Sequence, residues 1–276
     1  SQDTTFKVSK MAKELKLPLT CIGIPKTVDN DLPITDCSPG FGSVAKYVAT
    51  STLEAGLDVK SMSETSTKVF ILEVMGRHAG WIAAASALAS TNETDPPHII
   101  LMPEVPFAKK KFIDKVKQTV ADEGFCVVVA SEGTRYKNGM FLADSGLTDA
   151  FGHKQLGGVA PVLAQMISSI GLKNHWAVSD YLQRSARHIS SKTDLDQAYA
   201  VGKKAVEFAL AGKNAVMPVI KRLSNKPYKW KIEAASLSKV ANVEKTLPKG
   251  YISKDGFRVT SLSLIHISEP TRPLYI

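Results

Sequence analysis

Apolar positions along the chain follow two alternating rhythms. Short runs rich in branched residues are separated by longer stretches in which apolar side chains return every three or four positions, the signatures of buried strands and amphipathic helices. "LTCIGI" (19–24), "KVFILEV" (68–74), "HIILMPE" (98–104) and "FCVVVASEG" (125–133) read as strands, and "NHWAVSDYLQ" (174–183) as extended. "NAVMPVIKRLSNKPYKWKIEA" (214–234) reads as two strands around a turn at 225–227. Between them, helical spacing predicts a helix over 3–15 with Phe6, Met11 and Leu15 inward, and one near 44–53 that Gly56 stops. Further helices are expected at 81–89, at 108–124 with Phe112, Ile113, Val116 and Val120 inward, and at 156–171. A long one over 193–213 takes Thr193 as N-cap and Gly212 as C-cap. The stretch up to 152 reads as a polar loop.

Strands alternating with helices of this length imply an α/β fold with a parallel, doubly wound sheet, which binds ligands beyond the carboxyl ends of its strands. Three strands end in polar turns, "PKTVDND", "MGRHAG" and "SEGTR", and in such a sheet these turns can meet in one crevice.

Composition narrows the function classes. The net charge of +9 is concentrated in 213–254, which holds ten Lys/Arg and two acids but matches no nucleic-acid-binding motif. A solvated basic face, or an anionic small substrate, accounts for it. Three cysteines without C-x-x-C pairing (Cys21, Cys37, Cys126) suit a reduced, cytoplasmic setting, and the six histidines lack zinc spacing. No apolar run is long enough to cross a bilayer.

The turns carry the chemistry. Pro25 ends the first strand, Lys26 offers a mobile cation to an anionic oxygen, and Asp29 and Asp31, two apart, share a face of an extended segment. One carboxylate can take a hydroxyl proton while the other orients the hydroxyl or helps to bind a metal. Gly76 and Gly80 permit close backbone approach, and Arg77 can stabilise charge on a moving phosphoryl group. Glu132 can accept from sugar hydroxyls. Tyr181, Arg184, Arg187 and His188 together make a cradle for a phosphate monoester. Each motif alone has a bland counterpart, a capped turn or a solvent-facing basic loop.

In combination they are specific. "GIPKTVDND", "EVMGRHAGWIA", Pro103 with Glu104, "SEG" and "YLQRSARH", in this order and at these intervals, resemble the 6-phosphofructokinase family from about residue 1 to 260. Lysine in "PKTVDND" resembles the pyrophosphate-dependent branch. The resemblance implies two Rossmann-like lobes, with Mg2+ as cofactor and fructose 6-phosphate and pyrophosphate as substrates. It casts Asp29 as the base for the sugar 1-hydroxyl, Asp31 as the second carboxylate, and Arg77 as stabiliser of the transferring group. Thr27, Met75, Gly76 and Glu132 fall at sugar-binding positions, Arg184 and Tyr181 at the 6-phosphate, and Lys26 at the donor. Lys68 stands where relatives offer an arginine to a neighbouring subunit.

The same resemblance divides the chain into a remnant of the donor lobe (1–40), a fructose 6-phosphate lobe (41–188), a return to the donor lobe (189–235) and a segment on the sugar lobe (236–262). Residues 263–276 break the preceding pattern and read as a non-native tail, possible adaptor read-through. The family's donor loop and main acidic metal ligand are expected upstream of Ser1, so no metal ligand is assigned within the chain. Its donor lobe is expected to be incomplete, and the 276-residue polypeptide inactive or nearly so. A homo-oligomer, a dimer in the pyrophosphate branch, is expected, with no nucleic-acid or membrane partner. The alternatives are an ATP-dependent 6-phosphofructokinase and a non-catalytic sugar-phosphate-binding homologue.

Overall fold

Branched residues set the centre of the fold. In the computed structural model, which describes residues 2–92, 94–148, 154–156 and 158–271, strands β1 (Val69–Val74), β2 (Ile99–Leu101), β3 (Cys126–Ser131) and β6 (Asn174–Val178) form a parallel sheet. Its order is β2-β3-β1-β6. Side chains of β1 alternate: Val69 and Ile71 join a core with Phe112, Val116, Leu163 and Ile167, whereas Leu72 and Val74 join one with Val44, Val48, Ile82 and Ala84. The first face is covered by α4 (Lys109–Glu123) and α5 (Val159–Ser168), the second by α2 (Phe41–Met62) and α3 (Trp81–Ala85). Helices on both faces make the sheet doubly wound, as the alternation of elements predicts.

A second, smaller core joins α1 (Gln2–Glu14) to the antiparallel hairpin of β7 (Val216–Asn225) and β8 (Tyr228–Ser236) through Phe6, Met217, Val219 and Leu237. The short β4 (Asp144–Thr148), inside the stretch expected to be a loop, pairs with β5 (Lys154–Leu156) just beyond it. The short α6 (Leu182–Ser185) follows β6, α7 (Lys192–Leu210) packs on β7, and α8 (Ser261–Thr271) ends the described chain.

Four local expectations are corrected. The run 19–24 is a single parallel bridge, Ile22 to Val216, because Pro18 and Pro25 flank it and remove ladder donors. Met11 and Leu15 are about 60% exposed (60% and 62%), and α1 instead buries Gln2, Ser9 and Ala12. Helix α2 runs through Gly56, where a Cβ would lie 2.6 Å from Pro96 Cγ, so this glycine marks close packing and not a stop. Helix α7 is capped by Ser191, not Thr193; Ala211 takes the C-cap position and Gly212 follows it with φ 72°. The segment after 260 is helical, with Ser263 and Ile267, one turn apart, buried beside α2 and α3; residues 272–276 lie outside the described chain.

His98, just before β2, is buried: its Nδ1 accepts from Val127 N at 2.9 Å and its ring meets Phe125 edge-on. Burial, reinforced by Arg258, pushes its pKa down to about 4. The fold therefore holds the neutral ring, a contribution complete above the unfolded value near 6.5 and lost as pH falls toward 4. Between pH 7 and 4.5 this group is expected to remove about 2–3 kcal/mol of stability. Denaturant titrations of the wild type and His98→Asn at both pH values should show a shallower loss in the variant; equal losses would refute the assignment.

Candidate active site

The sheet order sets three adjacent carboxyl ends side by side, those of β3, β1 and β6. Glu132 N donates to Val74 O and Ser179 N to Glu73 O, each at 2.9 Å, so the turns leaving these strands stay in register. Gly76 has φ 124°, a region that favours glycine, and Ser131 Oγ donates to its carbonyl. Arg135 Nη2 donates to Arg77 O at 3.2 Å. Gly133 packs so tightly on the same turn that a Cβ would lie 2.1 Å from Arg77 O. "MGR" and "SEG" are thus one interlocked unit.

The 25–31 loop closes over it. Thr27 Oγ1 accepts from Asp29 N at 3.2 Å, which puts this hydroxyl in the turn itself. Asn30 adopts the left-handed region (φ 56°), so the segment is a turn and not the extended ribbon expected. That conformation sends Asn30 inward, 2% exposed, where Oδ1 accepts from Ser38 N at 3.1 Å.

Charge gathers at the mouth. Burial, then the negative charges of Asp31 and Glu132, push the Asp29 carboxyl up to about 6; Arg77 and Lys26 are close enough to oppose the rise. Glu132 is likewise raised by burial, moderated first by Arg77 and by the Gly76 amide, and pushed further by Asp180. The structure therefore gathers Lys26, Asp29, Asp31, Arg77 and Glu132 around one space. Such a group offers a base of near-neutral pKa next to two cations, which suits proton removal coupled to movement of an anionic group.

The remaining predicted residues sit around this centre or apart from it. Met75 N donates to Gln183 Oε1 at 3.2 Å, tying the β1 turn to α6. Beyond β6, the exposed Arg184 guanidinium stacks 4.1 Å from the Tyr181 ring centroid, and Arg187 and His188 are exposed beside them. Lys68 is not in this group: it precedes β1 at the amino end of the sheet, and its ammonium binds Ser63 O at the end of α2.

Sequence reasoning missed four residues. Glu73, the one acid in the apolar run of β1, accepts from Ala160 N at 2.8 Å at the start of α5, and burial raises its pKa. Its position among branched residues was the available signal. Gln183 also donates to Asp180 O at 2.9 Å, so it braces the turn after β6 from within. Asp194 Oδ1 accepts from Gly40 N, and its Oδ2 accepts from Ser43 N and Ser43 Oγ, at the start of α2. Lys245 reaches the 25–31 loop from 215 residues away in sequence.

Comparison with known proteins identifies the family and the fold. The phosphofructokinase family model matches residues 2–209. The pyrophosphate–fructose 6-phosphate 1-phosphotransferase of Halomonas elongata is 64% identical over 261 residues, covering 94% of this chain and 62% of that protein. The enzyme of the same name from Methylococcus capsulatus is 59% identical, with 94% and 62% covered. A crystal structure of a pyrophosphate-dependent phosphofructokinase from Marinobacter aquaeolei superposes with a TM-score of 0.88 at 59% identity, over 98% of this chain and 65% of that one. The chain spans about 62% of the length of these curated relatives.

Proposed function

The chain belongs to the phosphofructokinase family, and from that premise we propose that it is a phosphotransferase moving a phosphoryl group from pyrophosphate to the 1-hydroxyl of fructose 6-phosphate, yielding fructose 1,6-bisphosphate and phosphate. The observation that carries this reading is the Asp29 carboxyl, held near pH 6 by burial with Arg77 and Lys26 beside it.

In the forward direction Asp29 accepts the proton of the 1-hydroxyl as that oxygen bonds to phosphorus and the bridging P–O bond of the donor breaks. Arg77 meets the charge spread over the transferring group, and Lys26 meets the phosphate that leaves. In reverse, protonated Asp29 returns its proton to the sugar oxygen. Glu132 accepts from sugar hydroxyls, the Met75–Gly76 backbone lies against the ring, and Arg184 beside Tyr181 grips the 6-phosphate. Lys68 lies at the far end of the sheet with its ammonium on Ser63 O, so it takes no part in this chain's own site. Magnesium bound to the donor supplies further charge neutralisation. The three buried free cysteines fit a cytoplasmic enzyme, and a homodimer follows the family pattern.

Because the chain spans about 62% of its relatives' length, turnover is to be measured on the full-length gene product and sugar-phosphate binding on the chain itself. Pyrophosphate is expected to support fructose 1,6-bisphosphate formation far better than ATP. The opposite preference would transfer the assignment to an ATP-dependent enzyme. Lys26→Gly is expected to weaken pyrophosphate use tenfold or more while leaving fructose 6-phosphate affinity within about threefold, since it removes a charge at the donor end only. Equal losses for both substrates would count against Lys26 as the donor contact.

A further inference from the structure

The Lys245 ammonium donates to Asn30 Oδ1 at 3.1 Å and to the carbonyls of Thr35 and Asp36, both at 3.0 Å. Those three bonds use every donor an ammonium has. Its own backbone is drawn into the same place. Lys245 N donates to Asp31 O at 2.6 Å, and its carbonyl accepts from Trp81 Nε1 at 2.8 Å. The ammonium also stands 5.1 Å from the centroid of the Trp81 ring, a cation–π distance.

What it binds is a turn under strain. Asn30 and Ile34 both have positive φ, 56° and 70°, and a β-branched residue is costly there. Such a turn persists only when its surroundings over-determine it. A buried ammonium is itself expensive: burial lowers its pKa to about 8 against the pull of Cys37, Asp36 and Asp31. A methionine would fill the same space without that cost, so packing alone does not explain the charge.

We propose that Lys245 is a positioning residue for phosphoryl transfer, its ammonium pinning the 30–36 turn so that Asp29 and Asp31 are held at the sugar hydroxyl. This rests on Asp29 being the base; the anchoring itself does not.

Two variants test it. Lys245→Met keeps the volume and removes the donors. Asn30→Gly keeps the left-handed backbone and removes the Oδ1 that accepts from both Lys245 Nζ and Ser38 N, leaving the lysine's two carbonyl bonds in place, so it serves even where the first variant folds poorly. In the full-length product each is expected to lower kcat tenfold or more and leave the KM for fructose 6-phosphate within threefold. In the chain itself, amide exchange at 27–31 is expected to quicken at least tenfold while β1 and α2 exchange as before. Because both variants break the Lys245–Asn30 bond, the double variant should lose less than the sum of the two single losses. Wild-type kcat in Lys245→Met, or exchange that quickens equally throughout the chain, would overturn the proposal. Asp29→Asn separates the two readings: full turnover in that variant would remove the base assignment while exchange still reports on the anchor.

Discussion

Asp29→Asn is expected to lower kcat about a thousandfold in the full-length product, the usual scale for removing a positioned general base. Asparagine keeps the size and the turn but cannot accept the hydroxyl proton. The wild type should show the matching pH dependence. Its carboxyl titrates near 6, so turnover falls about tenfold per unit below that value and levels above it. The variant should lose this acidic limb. Stability is expected to move the other way. The folded pKa of Asp29 exceeds its ordinary value of 3.8, so its stabilising contribution is complete below 3.8 and lost as pH rises through about 6. At pH 8 the charged form costs on the order of 2 kcal/mol, which asparagine relieves. A variant that is inactive yet melts higher at pH 8 would identify a site where stability was given up for reactivity. Retained turnover would sink the base assignment, and an unchanged melting temperature would sink the burial argument.

Gly133→Ala is expected to be the most damaging single methyl in the molecule's active region. Its Cβ would lie 2.1 Å from Arg77 O, 2.6 Å from Arg77 C and 2.7 Å from Gly76 O. All three are backbone atoms, which cannot rotate away, so the two turns must separate. The expected cost is about 3 kcal/mol or more, seen as a fall in melting temperature of roughly 6–12 °C. A displacement of the arginine by about 1 Å should lower kcat a hundredfold. Gly202→Ala is the control, since nothing lies within 4 Å of its added Cβ inside α7, and it should be neutral or mildly stabilising. Normal kcat in Gly133→Ala would show that the interlock does not position Arg77.

The sheet and the strand-end turns were legible because their signals are local. Branched runs at 69–74 and 126–131 admit little but a buried strand, and Gly76 and Gly133 punctuate their ends. Where distance along the chain separates partners, local signals fail. Gly56 looks like a helix stop until Pro96 is packed against it. Met11 and Leu15 form an apolar stripe, yet small and polar residues of α1 make the buried contact. The site was read as three motifs, but its braces come from elsewhere. Gln183 lies 108 residues from Met75 and Lys245 lies 215 from Asn30, and each by itself is an unremarkable polar residue. The Asp–Asn–Asp triplet suggested an alternating ribbon, and only the left-handed Asn30 shows that its middle member is the anchor.

Helix α2 begins ten residues after Asp31, where an exposed amino terminus would make a ready seat for an anion. The Asp194 carboxylate already occupies those amides. Under the proposed function, substrate oxyanions would then be met by the side chains of Lys26, Arg77 and Arg184 and not by this helix terminus.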